Sequence, residues 1–329
     1  MSSSTISSLA SYSLELTDSQ ESETWIQLTN NWDHYKKKDP GFITEVVRKG
    51  IPNKLRGICW QYLCNAHIAS HSPTTNGSSS SLSSLVITGN KESNGSSKDP
   101  IRSKYSQYLL SNSPCEKVIK RDITRTFPEI DFFQNEAGPG QVGLFNIMKA
   151  YSIHDTEVGY CQGSAFLVGL LLLHMNEEDA FAVFVKMMEE ENYRLREMYK
   201  PTMAELGLCI YQLECMVQEL LPELHRHFES QNYHTSMYAS SWFLTLFSSC
   251  LPLNLAARVI DVFLSEGMEM IFRVSVAILM ICKEDLLKLD MEGLLKYFQK
   301  EMPSRVNIDP DFLIRQSLSV KYDHKKLKK

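Results

Sequence analysis

Apolar residues recur at intervals of three and four along most of the chain, the mark of helices that each bury one face. The clearest stripe is Leu206, Ile210, Leu213, Val217, Leu220 and Leu221, an amphipathic helix that Pro222 ends. The same reading predicts helices over 144–152, 164–173, 177–188, 235–247, 253–264, 272–282 and 291–298. Asn176 with Asp179 three residues on is an N-cap signature for the third of these. Trp25 to Asn65 predicts two or three short helices, interrupted at Asp39-Pro40-Gly41 and at Gly50-Ile51-Pro52. Ile101 to Thr126 continues in helical style until Phe127-Pro128, because a residue before proline is pushed out of the α region. Glu136 to Gly143 reads as a glycine-rich loop. Few Val/Ile/Thr alternations leave material for a sheet, so the expected fold is an all-α bundle in two lobes, divided near Lys200-Pro201.

Two serine-rich stretches fall outside this pattern. Residues 1–23, with nine serines in the first 22, form an arm, and 70–98 holds eleven serines in 29 residues. Neither can bury enough apolar surface to order itself, so both are expected to be disordered, the second as a loop inserted between helices. At the other end, 311–329 places Ile314, Leu318 and Tyr322 four apart and finishes on Lys325, Lys326, Lys328 and Lys329. That pattern suits a basic helix for a membrane surface or partner, or a helix end. Leu313, Val320 and Leu327 at heptad spacing favour a coiled-coil start, with self-association through its continuation.

Composition narrows the classes. The 34 basic and 39 acidic residues give a formal charge of −5, which argues against nucleic acid as the main partner. Eight cysteines lie scattered in apolar segments without a C-x-x-C pair, as reduced intracellular thiols do. The longest apolar run, Ala165 to Leu173, is about half of the ~20 residues a membrane span needs, and the expected location is cytoplasmic. Gly138-Pro139-Gly140-Gln141-Val142-Gly143 matches G-x-G-x-x-G, but no strand feeds it, so it reads as a mobile interhelical loop rather than a dinucleotide site. No P-loop motif occurs, and His225 and His227, two apart on a helix, do not have zinc-like spacing; no cofactor is expected.

Two polar sites remain in apolar surroundings. In Ile119-x-x-Asp122-x-x-Arg125, Arg125 falls in the last helical turn before the Phe127-Pro128 break. There it either projects beyond the helix end or simply pairs with the negative end of the helix dipole. In Gly159-Tyr160-Cys161-Gln162-Gly163, Gln162 stands at the entrance to a very apolar helix. It is either presented to a partner by the freedom of two glycines or caps that helix.

Arg56-Gly57-Ile58-Cys59-Trp60, then Ile119-x-x-Asp122-x-x-Arg125, then Tyr160-x-Gln162-Gly163 resemble the signature blocks of TBC-domain Rab GTPase-activating proteins, in order. Leu251-Pro252 followed by Arg258-x-x-Asp261-x-Phe263-Leu264 resembles a fourth block, and the four span roughly 25–298. Segments 157–166, 199–211 and 234–247 are similar to the ecotropic viral integration site branch, in which a long coiled coil follows the domain. The resemblance implies a V-shaped all-α domain over about 24–310, with lobes near 24–200 and 201–310. Its partner would be a GTP-bound Rab-family GTPase that itself holds GTP and magnesium, and membranes would be reached only through that partner. Arg125 would be an arginine finger and Gln162 a glutamine finger orienting the water, since an amide both donates and accepts. A helical Rab-binding scaffold without such activity is the rival.

Asp122, Tyr160 and Arg56 read as support. Asp122 either orients Arg125 or pairs with Arg56, the second being the expected brace. Trp60 is expected in the core, and Tyr160 either packs beneath Gln162 or faces the GTPase. One departure from the family pattern is Ser164-Ala165 after the Gln-Gly pair, where many members carry a bulky and then a polar residue. It predicts a weaker hold on the glutamine loop.

Overall fold

The structure, a computed structural model, describes residues 22–67, 99–306 and 309–322. The serine-rich insertion, nearly all of the amino-terminal arm and the terminal lysines lie outside them. The described residues form helices and no strands.

Local chemistry starts many of the helices. Asp39, Asp99, Asn176, Asp290 and Asp309 each accept a backbone N–H of the first turn they precede, and Pro40, Pro100 and Pro310 occupy first-turn positions where no N–H is missed. The Asn176 signature is among them, its side chain accepting from the amide of Asp179 at 3.0 Å. Ser164–Leu172 is buried nearly all round and forms the centre of the first half. It packs on Pro139–His154, which also carries Pro100–Leu109, Glu116–Ile123 and Glu177–Glu189. In the second half, Leu253–Glu266 and Met268–Leu286 pack together, and Ala204–Leu220 lies against the latter. Ser236–Thr245 touches Ala204–Leu220 on one side and Ser164–Leu172 on the other.

Several expectations need correction. The segment 136–143 is not a loop throughout: Pro139–His154 begins inside the glycine motif, with Pro139 at its start. Gly140 is needed there because a Cβ would stand 2.1 Å from the Phe132 carbonyl oxygen, so the glycines serve close packing. The stretch 101–126 is two helices, Pro100–Leu109 and Glu116–Ile123, separated around Ser113-Pro114. Pro222 ends one helix but also opens the next, Pro222–Ser230. The last helix among the described residues, Pro310–Ser319, lies along Met268–Leu286. Leu313 on this helix and Val320 at its C-cap are buried, so these two heptad positions present no free coiled-coil seam. Leu327 is outside the described residues.

The halves on either side of Lys200-Pro201 are also joined by early helices crossing to late ones. Pro40–Lys49 and Arg56–Leu63 both pack on Leu253–Glu266. Arg56, expected to brace Asp122, instead donates to Asp261 through Nε at 3.0 Å and Nη2 at 3.1 Å. Trp60, fully buried as expected, donates to the same carboxylate at 2.8 Å. Beside them Arg258 donates to the carbonyl of Val47 at 2.9 Å and to Asp311 at 3.1 Å, so one side chain fastens the end of Pro40–Lys49 and the start of Pro310–Ser319. Burial pushes the Asp261 carboxyl above the usual carboxylate range, although Arg56 and Arg258 pull it down. The cluster therefore adds little net stability while intact but is costly to break.

Candidate functional site

Glu116–Ile123 ends where its hydrogen bonding tightens: the amide of Arg125 bonds the carbonyl of Asp122, and that of Thr126 the carbonyl of Ile123. Arg125 thus lies just past the helix rather than in its last turn. Phe127 then adopts φ 52°, a left-handed conformation rare for an aromatic residue. Its ring fits against Gly169, where a Cβ would come within 2.9 Å of it. The chain turns sharply at this point, and the Arg125 side chain is left 55% exposed.

Asp122 is the organising group, only 4% exposed. Its Oδ1 accepts Arg125 Nε at 2.5 Å. Its Oδ2 accepts the Tyr160 hydroxyl and, at 3.4 Å, the amide of Gly163. Of the two roles considered for Asp122, the structure therefore contains the orientation of Arg125 and lacks the pairing with Arg56. A buried carboxylate with three donors stays where they hold it, and these donors come from both polar sites that the sequence singled out. Burial and the adjacent Asp122 push the Tyr160 phenol above its ordinary value, which keeps it a protonated donor. Tyr160 accordingly fixes the glutamine loop to Asp122.

Gln162 is exposed, and its amide makes no hydrogen bond within the described residues. It does not cap the following helix; Gly163, at φ 99°, takes the N-cap position. The positive φ is what glycine permits and lets the loop enter the helix while its amide points to Asp122. The predicted weakness at Ser164 has a local remedy: Ser164, buried, donates its hydroxyl to the Cys161 carbonyl at 2.6 Å and closes the loop on itself. The result is a cation and a neutral amide, both open to solvent, registered to each other through one buried carboxylate. Such a pair can bind an anionic group such as a phosphate and position a water.

A pocket of about 320 Å³ opens beside Arg125, lined also by Phe127, Phe166, Ser249, Leu251 and Pro252. Its lining residues Ser248 and Ser249 directly follow Leu246 and Phe247, consecutive residues at φ 46° and 65°. Each such residue costs on the order of 1 kcal/mol, and nothing in the letters Leu-Phe signals it. That corner, and the roles of Asp261 and Arg258 as fasteners, were missed by sequence reasoning. Among the described residues no group of His, Cys, Asp or Glu side chains is disposed to hold a metal ion, and no helix is long and apolar enough to cross a membrane.

The helical fold of the described residues defines a class of protein by comparison with known ones. Residues 53–287 match the Rab-GTPase-TBC domain family, and the chain belongs to it. It is 50% identical over 312 residues to the human ecotropic viral integration site 5 protein homolog, which covers 94% of this chain and 35% of that protein. It is 49% identical over 305 residues to the Caenorhabditis elegans Rab GTPase-activating protein eat-17, covering 93% of this chain and 31% of that one. The chain spans about a third of the length of these curated relatives. Among solved structures, the Ypt/Rab-GAP domain of Gyp1p superposes with a TM-score of 0.68 at 19% identity, over 89% of this chain and 97% of that one. The Chlamydomonas flagellar RabGAP TBC domain gives 0.64 at 24% identity, over 93% and 95%; both share the fold.

Proposed function

We propose that this chain is a GTPase-activating protein for a Rab-family small GTPase and that Arg125 and Gln162 act in trans on GTP held, with its magnesium, by that partner. A small GTPase alone leaves charge on the transferring γ-phosphoryl group poorly stabilised and its attacking water poorly oriented. Arg125 would donate to the phosphoryl oxygens, an effect worth about 10³ to 10⁵ in rate for an inserted arginine. Gln162 would accept from the water and donate to an oxygen of the transferring group, holding the nucleophile in line. Asp122 and Tyr160 position both groups without touching substrate. The chain hydrolyses nothing by itself; it completes its partner's active site, and its cellular setting would be the vesicle membranes where lipidated Rab proteins reside.

The observation that carries this reading is the exposed Arg125 and the exposed Gln162, whose side-chain amide has no hydrogen bond among the described residues, both referred to buried Asp122. The test is single-turnover GTP hydrolysis by a panel of purified Rab proteins, with this chain and its Arg125→Ala, Arg125→Lys and Gln162→Ala forms. Acceleration of one or a few Rab proteins, lost by at least about 10²-fold in both alanine forms and not restored by lysine, is the expected result. Binding of GTP-loaded Rab without acceleration would instead make the chain a scaffold.

A further inference from the structure

We propose that an uncharged aromatic groove next to the Arg125 pocket is where this chain selects its GTPase, by receiving a neutral aromatic or aliphatic side chain from the surface that surrounds the bound nucleotide. The inference rests on the GTPase-activator reading and adds to it a second, separate point of contact. The groove, about 550 Å³, runs between Ser236–Thr245 and the segment 298–303. Ser249, Leu251 and Pro252 line both it and the Arg125 pocket, so a protein seated over Arg125 extends across the shared rim into it.

Three features mark the groove as built for contact. Its floor is a stacked aromatic set: Phe298 lies nearly parallel to Tyr238 at 4.9 Å and edge-on to Trp242 at 5.7 Å. Phe298 and Gln299 belong to a π-helical turn, Tyr297–Glu301, an insertion that proteins keep mainly where it serves function. The rim that divides groove from pocket follows the left-handed residues Leu246 and Phe247, and Phe127 on the opposite wall is left-handed too. Backbone strain of this kind persists where a surface must hold one shape.

The lining chooses the chemistry of the occupant. Among the described residues no Asp, Glu, Lys or Arg lines the groove, so its lining would not neutralise a charged side chain taken from water. Met237 at the mouth, with the exposed Ser241, Ser249 and Gln299, gives an adaptable rim around an apolar base. That arrangement fits a single bulky neutral anchor with hydrogen bonds at its edge, as interface hot spots have. Phosphate chemistry at Arg125 would be common to every GTP-bound partner, whereas this groove would distinguish one partner from another.

The test plugs or charges the groove from two different elements, with Ser241→Trp and Gln299→Glu, both at exposed positions. Two readouts are taken on the same Rab panel: affinity for each protein loaded with a non-hydrolysable GTP analogue, and the kcat and KM of stimulated hydrolysis. For the preferred Rab, affinity should fall and KM rise by about tenfold or more, with kcat within about threefold, and the preference over other Rab proteins should shrink. Unchanged affinity and KM in both correctly folded variants would overturn the groove while leaving the activator reading intact. Binding that depends on the groove, with no acceleration by the unmodified chain, would retain the groove and overturn the activator reading. Absence of binding to any Rab would overturn both.

Discussion

Asp122→Ala separates registration of the two candidate fingers from their chemistry, because it leaves both side chains in place and removes only the carboxylate that holds Arg125 and the glutamine loop. Three bonds are lost. The Tyr160 hydroxyl gives up a carboxylate partner in a mostly buried position, a loss of about 1.5–3 kcal/mol. The Gly163 amide, at 3.4 Å, loses roughly 0.5 kcal/mol. The Arg125 pair is worth about 0.5 kcal/mol or less, since its side chain is 55% exposed and water screens the attraction. Removing the carboxylate also relieves its own desolvation, so the net cost to folding should be near 2 kcal/mol, read from the shift of the urea midpoint. The catalytic cost should be larger in proportion. A displacement of about 1 Å in either finger is worth on the order of 10² in rate, so kcat in single-turnover hydrolysis should fall about 10²-fold while GTPase affinity changes little. Tyr160→Phe removes one bond alone, and its double-mutant cycle with Asp122→Ala should show coupling of about 1–2 kcal/mol in stability. A folded Asp122→Ala protein with kcat within about threefold of the parent, or a cycle without coupling, would refute the idea that this carboxylate registers the site.

Arg56→Ala should destabilise the fold by about 3–5 kcal/mol in denaturant titration, because it strands the fully buried Asp261 without its bidentate partner; a loss below about 1 kcal/mol would contradict that account. His174, edge-on to Trp60 at 4.8 Å, is held neutral by burial and by Arg56, which bring its pKa from 6.5 down to about 4. Between those values the unfolded chain binds more protons than the folded one, so stability should fall as pH drops from 6.5 toward 4, and His174→Gln should flatten that slope in urea midpoints measured across the window.

The helices were legible because their cause is local. Stripes such as Leu206 to Leu221 and caps such as Asn176 operate within a few residues, and a period read along the chain predicts the buried face before its partner is known. Boundaries failed where packing overrode composition. Gly138 to Gly143 looked like a loop because glycine is flexible, yet the helix begins at Pro139, and position 140 is glycine because the Phe132 backbone approaches it, a fact no local pattern contains. The heptad spacing of Leu313 and Val320 was real, but both are buried within the domain, and the helix that carries Leu313 packs on Met268–Leu286.

For the candidate site the division is similar. The residue types and their order, with Asp122 three positions before Arg125 and Gln162 between two glycines, were determined by the sequence and legible in it as chemistry. Which carboxylate meets which arginine was decided only in three dimensions: Arg56 goes to Asp261, 205 residues away, and Asp122 serves Arg125, Tyr160 and Gly163 instead. An ion pair follows distance and burial, and in a helical bundle both are set by how helices remote in the chain cross. The left-handed corner at Leu246 and Phe247 is the extreme case, since ordinary apolar letters there take a strained shape that only the surrounding core can enforce.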